Sequence, residues 1–205
     1  MARQRGRNDD MRRALAQEAA RLMAEHGIRD FRLAKRKAAE RYGVSERAGF
    51  FPTNQEIDAA IGEYRRIFQA DTHPGELRRL REAARQAMLL FRDFQPRLVG
   101  SVLRGDAGRH SDVQLHLFAD TPERVVMHLL DRNIPFESTE RRFRSTSGEY
   151  QYAPAYRFVA GDIAIEACVF GPADIRQSPA SPVDGRPMKR ANLAEVEALL
   201  ESGMQ

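Results

Sequence analysis

The residues best suited to chemistry lie in one stretch, 97–119. Two apolar residues lead into Gly100 and Ser101, and backbone amides that turn outward at the start of a short helix can bind an anion. Asp112 follows, at the start of a segment in which polar and apolar residues alternate, as they do in a half-buried strand. A phosphate-binding turn that faces a carboxylate is what metal-assisted phosphoryl chemistry needs.

Two further polar residues share the predicted strand face with Asp112. Gln114 is neutral, so it can offer a metal ion one carbonyl oxygen and no charge. His116 could act as a base or bind a softer metal, since Mg²⁺ does not prefer imidazole. We expect His116 to be a surface histidine.

Glu166 is the acidic residue of a later apolar segment, 163–170. An ionised group in such a strand is costly unless it is paired. Two interpretations stay open. Glu166 could be another carboxylate of the same site, or it could lie at a sheet edge or pair with an arginine, for which the candidates are Arg141, Arg142, Arg144 and Arg157.

The stretch 97–119 resembles the signature of the polymerase-beta-like nucleotidyltransferase superfamily. That signature has an apolar strand, Gly-Ser, a connection that often carries Arg-Gly, and Ser-Asp-x-Asp in a second strand. The matching residues are Gly100, Ser101, Arg104, Gly105, Ser111 and Asp112. The second aspartate is replaced by Gln114. The segments RLMAEHGIRDFRLAKRKAAER and SPVDGRPM also look like parts of uncharacterised bacterial proteins usually labelled nucleotidyltransferases.

The resemblance implies a site and an activity. Gly100 and Ser101 would contact the phosphates of a nucleoside triphosphate, with Arg104, Ser111 and Gln114 also at the nucleotide. Asp112 would be a catalytic Mg²⁺ ligand, and Glu166 would take the place of the family's third carboxylate. The group transferred would be a nucleotidyl group, and the acceptor an unidentified hydroxyl.

The neutral Gln114 weakens that expectation, because a two-metal site loses one of its three anionic ligands. We therefore expect a degenerate nucleotidyltransferase that binds a nucleoside triphosphate, with weak or no metal-dependent transfer. The alternative is a non-catalytic regulatory module that binds a nucleotide, RNA or a protein.

Charge is distributed unevenly along the 205 residues, which carry a formal net charge of +4. The first 50 residues contain 13 Lys and Arg but 7 Asp and Glu. This excess fits either a nucleic-acid partner or solvated helix faces. A recognition helix for DNA is disfavoured, because Gly49 and Pro52 interrupt the segment where it would lie.

Cys168 is the only cysteine, so an internal disulfide is excluded and a reducing compartment is indicated. We find neither a signal peptide nor an apolar run of the roughly 18 residues that a membrane span needs. The prediction is a cytoplasmic protein with no membrane partner.

The first part of the chain, 1–94, is predicted to be a helical region. Residues 1–8 are expected to be a frayed arm, with a helix capped by Asn8 or Asp9. Further helices are expected from about Asp30 and from Thr53-Asn54, and a long one opens near Pro74.

The second part, 95–205, is predicted to be the nucleotidyltransferase-like domain. Strands are expected at 97–99, 112–117, 136–144, 149–159 and 163–170, and Pro154 implies a bulge or an edge position. Asn192 and Glu195 have the spacing of a capping box for a last helix. The predicted fold class is α+β, a mixed sheet with helices preceded by the helical region, and the resemblance implies that the sheet is polymerase-beta-like.

Overall fold

The computed structural model describes residues 2–28, 30–45, 49–68 and 73–202, with side chains described from residue 6 onward except at 73. The chain divides into two compact units. The first comprises residues up to 73 together with 108–110 and 182–184. The second comprises 74–107, 111–181 and the residues from 185 onward.

The described part of the first unit is helical, with α1 (Ala2–His26), α2 (Phe31–Tyr42) and α3 (Asn54–Phe68). These helices share a core built largely of alanine, which allows close helix packing. Its buried members are Leu15, Ala16, Ala19, Ala20, Ala34, Ala38, Ala39, Ile57 and Ile61.

Two predicted helix starts in this unit are confirmed by their caps. The Asp30 carboxylate accepts a hydrogen bond of 2.7 Å from the backbone N–H of Leu33, as an N-cap does. Thr53 and Glu56 form a reciprocal capping box, with a Thr53 N–H to Glu56 bond of 2.6 Å and a Glu56 N–H to Thr53 Oγ1 bond of 3.2 Å. Gly43 ends α2 with φ of +63°.

The expectation of a frayed arm at residues 1–8 is wrong, because α1 already begins at Ala2. Asn8 and Asp9 lie inside the helix and do not cap it. The preceding segment is mainly alanine, arginine and glutamine, which are good helix formers, so nothing in it halts the helix at Asn8. The long helix expected to open near Pro74 is confirmed, since it spans His73–Leu90.

The second unit contains nine α-helices and β-strands among its described residues. In chain order these are α4 (His73–Leu90), β1 (Arg97–Val99), α5 (Gly100–Arg104), β2 (Val113–Phe118), α6 (Pro122–Leu130), β3 (Glu137–Arg144), β4 (Tyr150–Ala160), β5 (Ile163–Phe170) and α7 (Leu193–Ser202). The strands form one sheet in the order β1-β2-β5-β4-β3. β2 and β5 are parallel, and the other pairs are antiparallel. The α+β class is thereby confirmed.

One side of the sheet, which we call the core face, carries apolar side chains into the main core. Leu115 and Leu117 of β2 and Ile165 of β5 are fully buried there. They share one cluster with residues of α4, α6 and α7. This α4 contribution is large, including Leu80, Ala84, Ala87 and Met88.

The predicted boundary at 94/95 therefore does not coincide with the division between the two compact units. Because α4 helps to build the core beneath the sheet, its apolar seam belongs to the second unit. Whether 1–94 and 95–205 behave as separate domains stays a prediction.

Pro154 lies in β4 opposite Glu140 of β3. The pairing of β4 with β5 covers only Ala155–Ala160, so Pro154 lies beyond the end of that pairing. A missing N–H is tolerated there because no β5 carbonyl needs it. Because β4 lies between β5 and β3, it is not an edge strand, and the predicted edge position is wrong for the strand as a whole.

The α7 capping box is also confirmed, with Asn192 and Glu195 bonding reciprocally at 2.7 and 3.0 Å. Within the described ranges, we find no helix with the length and apolar character to cross a bilayer.

Candidate functional site

The side of the sheet opposite the core face, which we call the polar face, holds Asp112, Gln114 and Glu166, and farther along β2 and β5 it carries a buried apolar cluster that includes Phe118 and Phe170. The parallel register of β2 and β5 sets Gln114 directly opposite Glu166. Asp112 immediately precedes β2 and lies on the same side as Gln114, because strand residues two apart share a face. Asp112 and Glu166 are both buried, with 8% and 7% of their surface exposed.

Gly100 lies against the amide of Gln114. Val99 of β1 pairs with Gln114, and the chain then turns into α5 at Gly100 with φ of +77°. A Cβ atom added to Gly100 would overlap Oε1 of Gln114. Glycine is thus required at this position both by the backbone conformation and by the side chain that covers it.

Arginine residues of β3 and β4 reach both carboxylates across the sheet. Nε of Arg141 lies 3.3 Å from Oε2 of Glu166, and Nη2 of Arg157 lies 3.7 Å from Oδ2 of Asp112. The open interpretation of Glu166 as an arginine partner is thereby confirmed for Arg141. A sheet-edge position for Glu166 is wrong, because β5 lies between β2 and β4.

The two ion pairs leave this part of the polar face with no net charge. Two carboxylates face two guanidinium groups, and the residue between the carboxylates is a neutral amide. Mg²⁺ binds where anionic oxygens are in excess, and here each carboxylate has an arginine beside it. Among the described residues, no three or more His, Cys, Asp or Glu side chains group as a metal site. Binding of Mg²⁺ at Asp112 and Glu166 stays a prediction.

Two other predicted nucleotide-binding residues lie at the ends of the connection between α5 and β2. Arg104 is in the last turn of α5, where Nη2 pairs at 2.8 Å with Oδ2 of Asp106. Ser111 is half-buried next to Asp112. Ser101 follows Gly100 in α5 and is also half-buried. Their role in nucleotide binding stays a prediction.

His116 is not the surface histidine expected from the sequence, since only 1% of it is exposed. Its Nδ1 accepts a hydrogen bond of 3.1 Å from Nε of Arg190, which fixes the neutral ring with the proton on Nε2. Burial, and then the neighbouring Arg190 charge, lower the pKa of His116 to about 3. A histidine held neutral in this way contributes no charge to the polar face.

Arg190 is the residue of this region that sequence reasoning missed. It bonds the carbonyl oxygen of Asp174 at 2.8 Å and lies over the rings of Phe118 and Phe170, at 5.0 and 5.6 Å from their centroids. Arg190 lies 74 residues after His116 in the sequence, in an irregular segment. No local pattern there could have indicated the pairing.

No family model, curated protein or solved structure matches this chain. Any functional assignment therefore depends on the geometry of the chain itself.

Proposed function

We propose that this protein binds a nucleoside triphosphate on the polar face of a polymerase-beta-like sheet and has weak or no metal-dependent nucleotidyl transfer. The order of elements supports the family part of the proposal. A strand, Gly100-Ser101 and a short helix lead to Asp112 and β2, and the strand parallel to β2 carries Glu166 in register with Gln114.

The pairing of each carboxylate with an arginine is the observation that supports weak or absent nucleotidyl transfer. Arg141 and Arg157 supply the positive charge beside Glu166 and Asp112. Both guanidinium groups remain partly open to solvent, with 45% and 41% of their side chains exposed. They can therefore meet an arriving phosphate, to which guanidinium groups bind through paired N–H donors.

In this arrangement the acidic residues act as counterions that hold the arginines. The proposed chemistry is recognition of phosphate without a metal. This proposal predicts that removing the Asp112 charge frees Arg157 and increases the affinity for the nucleotide. A metal site predicts the opposite change in affinity. In a metal-dependent enzyme, the same change removes a ligand and weakens binding of the metal–nucleotide complex.

The test is isothermal calorimetry with ATP, GTP, CTP and UTP, in EDTA and in Mg²⁺, on wild type and Asp112→Asn. We expect binding in EDTA that becomes tighter in Asp112→Asn by about fivefold, the equivalent of roughly 1 kcal/mol for a partly exposed charge pair. Arg157→Ala should weaken binding by about tenfold or more, as for loss of a hydrogen bond to a charged group.

Asp120→Asn is the matched control, because the Asp120 carboxylate also pairs with an arginine, Arg124 at 3.1 Å, but is 73% exposed and lies outside the site. It should leave nucleotide affinity unchanged. Nucleotide binding that requires Mg²⁺ and is lost in Asp112→Asn, together with pyrophosphate release by wild type, would establish the active transferase and overturn the proposal.

A further inference from the structure

A second surface lies on the hairpin of β3 and β4, on the other side of the sheet from Asp112 and Glu166. Tyr150 and Tyr152 are 61% and 64% exposed, although both belong to a regular strand. They lie on the same side of β4, because they are two residues apart. Tyr150 pairs with Arg144 of β3 and Tyr152 pairs with Arg142, so two arginines share that side with two tyrosines.

The opposite side of the same hairpin is packed, and this fixes its position. Phe143 of β3 contacts the ring of Phe170 with centroids 5.2 Å apart, and Ala153 of β4 is buried in the same cluster. The hairpin therefore has one anchored side and one open side. The open side is where the two tyrosines lie.

The arginines and tyrosines of the open side are already in contact. The guanidinium of Arg142 lies over the ring of Tyr150, 4.6 Å from the centroid. Nε of Arg144 donates to the carbonyl oxygen of Gly148 at 3.4 Å, in the turn that joins the two strands. These contacts hold cationic groups beside the aromatic rings before any ligand arrives.

We propose that this open side, consisting of Arg142, Arg144, Tyr150 and Tyr152, binds single-stranded nucleic acid. Exposed aromatic rings interleaved with arginines combine base stacking with phosphate attraction, and single strands are bound in this way without sequence preference. The two rings are spaced by about 7 Å along the strand. That distance suits bases splayed from an extended backbone and exceeds the roughly 3.4 Å between stacked bases in a duplex strand.

Charge favours this occupant over an apolar protein partner. Two arginines and one carboxylate, Glu140, lie on the open side of β3, so the tyrosines are bordered by net positive charge. The phenol hydroxyls give both rings a polar edge, which suits a wet interface with nucleotides. A second copy of the chain would bring the same positive charge against itself.

The test is fluorescence anisotropy of labelled ten-nucleotide oligo(U) and oligo(dT), with a duplex of the same length as competitor. Single strands should bind, and the duplex should compete poorly because its bases are not available to stack. Tyr152→Ala and Tyr150→Ala should each weaken binding by roughly 5- to 150-fold, the loss expected for one base–aromatic stack. Tyr152→Phe should retain the affinity. The RNA and DNA arms decide which backbone is preferred.

Val159→Ala is the matched control, since Val159 is 63% exposed on the same strand and lies on the other side of it. This control matters because the basic first unit can attract phosphates without stacking. The proposal therefore depends on the loss in the tyrosine variants and not on binding alone. Melting curves of each variant should match that of wild type, because these side chains are exposed.

The oligonucleotide measurements would overturn the proposal in any of three cases: no binding of either oligonucleotide, equal binding of single strands and duplex, or tyrosine-to-alanine variants that bind as wild type does. A concentration-dependent dimer seen by sedimentation and lost in Tyr152→Ala, without oligonucleotide binding, would also overturn it and assign the surface to self-association.

Discussion

The two faces of β2 put consecutive residues under opposite constraints. Leu115 is fully buried in the main core, whereas its neighbour Gln114 is half-buried on the polar face, in contact range of Gly100. The core face depends on volume and burial, and the part of the polar face around Gln114 depends on charge balance and on one glycine. Substitutions on the first should change stability, and substitutions on the second should mainly change binding.

The largest effect is expected for Leu115→Ala on the core face. Removing a fully buried leucine leaves a cavity and should lower the free energy of unfolding by about 2–5 kcal/mol. Gln114→Ala on the polar face should cost less than about 1 kcal/mol. Urea unfolding followed by circular dichroism measures both. Equal losses would contradict the division between the faces.

Gly100→Ala is the next largest expected effect. The added Cβ meets both a left-handed backbone and Oε1 of Gln114, so we expect a loss of about 1–3 kcal/mol. Gly105→Ala is a matched control, because Gly105 also has positive φ, of +89°, but its Cβ would make only ordinary contacts.

The double variant Gly100→Ala with Gln114→Ala isolates the overlap. If the Gln114 amide causes part of the loss, the double variant should be more stable than the sum of the single changes predicts. Strict additivity would show that only the backbone conformation requires glycine.

The buried His116 should make stability depend on pH. Burial lowers the pKa of His116 from 6.5 to about 3, so the unfolded chain takes up a proton below about pH 6.5 that the folded chain does not. Stability should therefore fall as pH decreases, by about 2 kcal/mol between pH 6.5 and 5.

Between pH 6.5 and 5, the effect of His116 on stability can be distinguished from the effects of the acidic groups. Glu18, Glu56 and Glu82 have pKa values lowered from 4.5, chiefly by hydrogen bonds, so their contributions are lost only at lower pH. His116→Gln, which keeps an acceptor for Arg190, should flatten the melting temperature between pH 6.5 and 5. An unchanged slope in this variant would show that His116 is not its source.

The smallest expected effect is that of Gln114→Asp, which restores the family's second aspartate. The new carboxylate would lie opposite Glu166 with no additional arginine, so repulsion should raise a carboxylate pKa and lower stability by up to about 1 kcal/mol at pH 7. Because the charged form is disfavoured in the folded state, this loss should disappear as pH falls through the raised pKa.

Pyrophosphate release decides what Gln114→Asp means for function. We expect no increase with Mg²⁺ and a nucleoside triphosphate, because the arginine–carboxylate pairs persist. A gain of an order of magnitude or more would show that Gln114 alone attenuates an otherwise competent site.

Local patterns were sufficient to predict most elements. Strand β5 was predicted at its observed limits, since the apolar run after Gly161-Asp162 leaves little ambiguity, and reciprocal capping bonds mark α3 and α7. The face shared by Asp112 and Gln114 follows from strand alternation. The family resemblance placed Glu166 in the same site as Asp112, but the parallel pairing of β2 with β5 was not predicted, because a pairing between distant segments leaves no local signal.

The burial of His116 could not be predicted for a related reason. It depends on Arg190 and on the rings of Phe143 and Phe170, which come from three separate segments. Alternation correctly placed His116 on the polar face but could not show that this end of the face is covered. The early start of α1 was missed, because charged residues at a helix start look the same whether they are helical or frayed.

The parallel pairing of β2 and β5 also determines when during folding the polar face can form. β3 and β4 meet across a short turn, as do β4 and β5, and hairpins of this kind close in microseconds. Gln114 and Glu166 are joined by a loop of roughly fifty residues, whose closure costs more entropy. Arg141 and Glu166 can therefore meet as soon as the two hairpins have formed, whereas the contact between Arg157 and Asp112 has to wait for closure of the long loop.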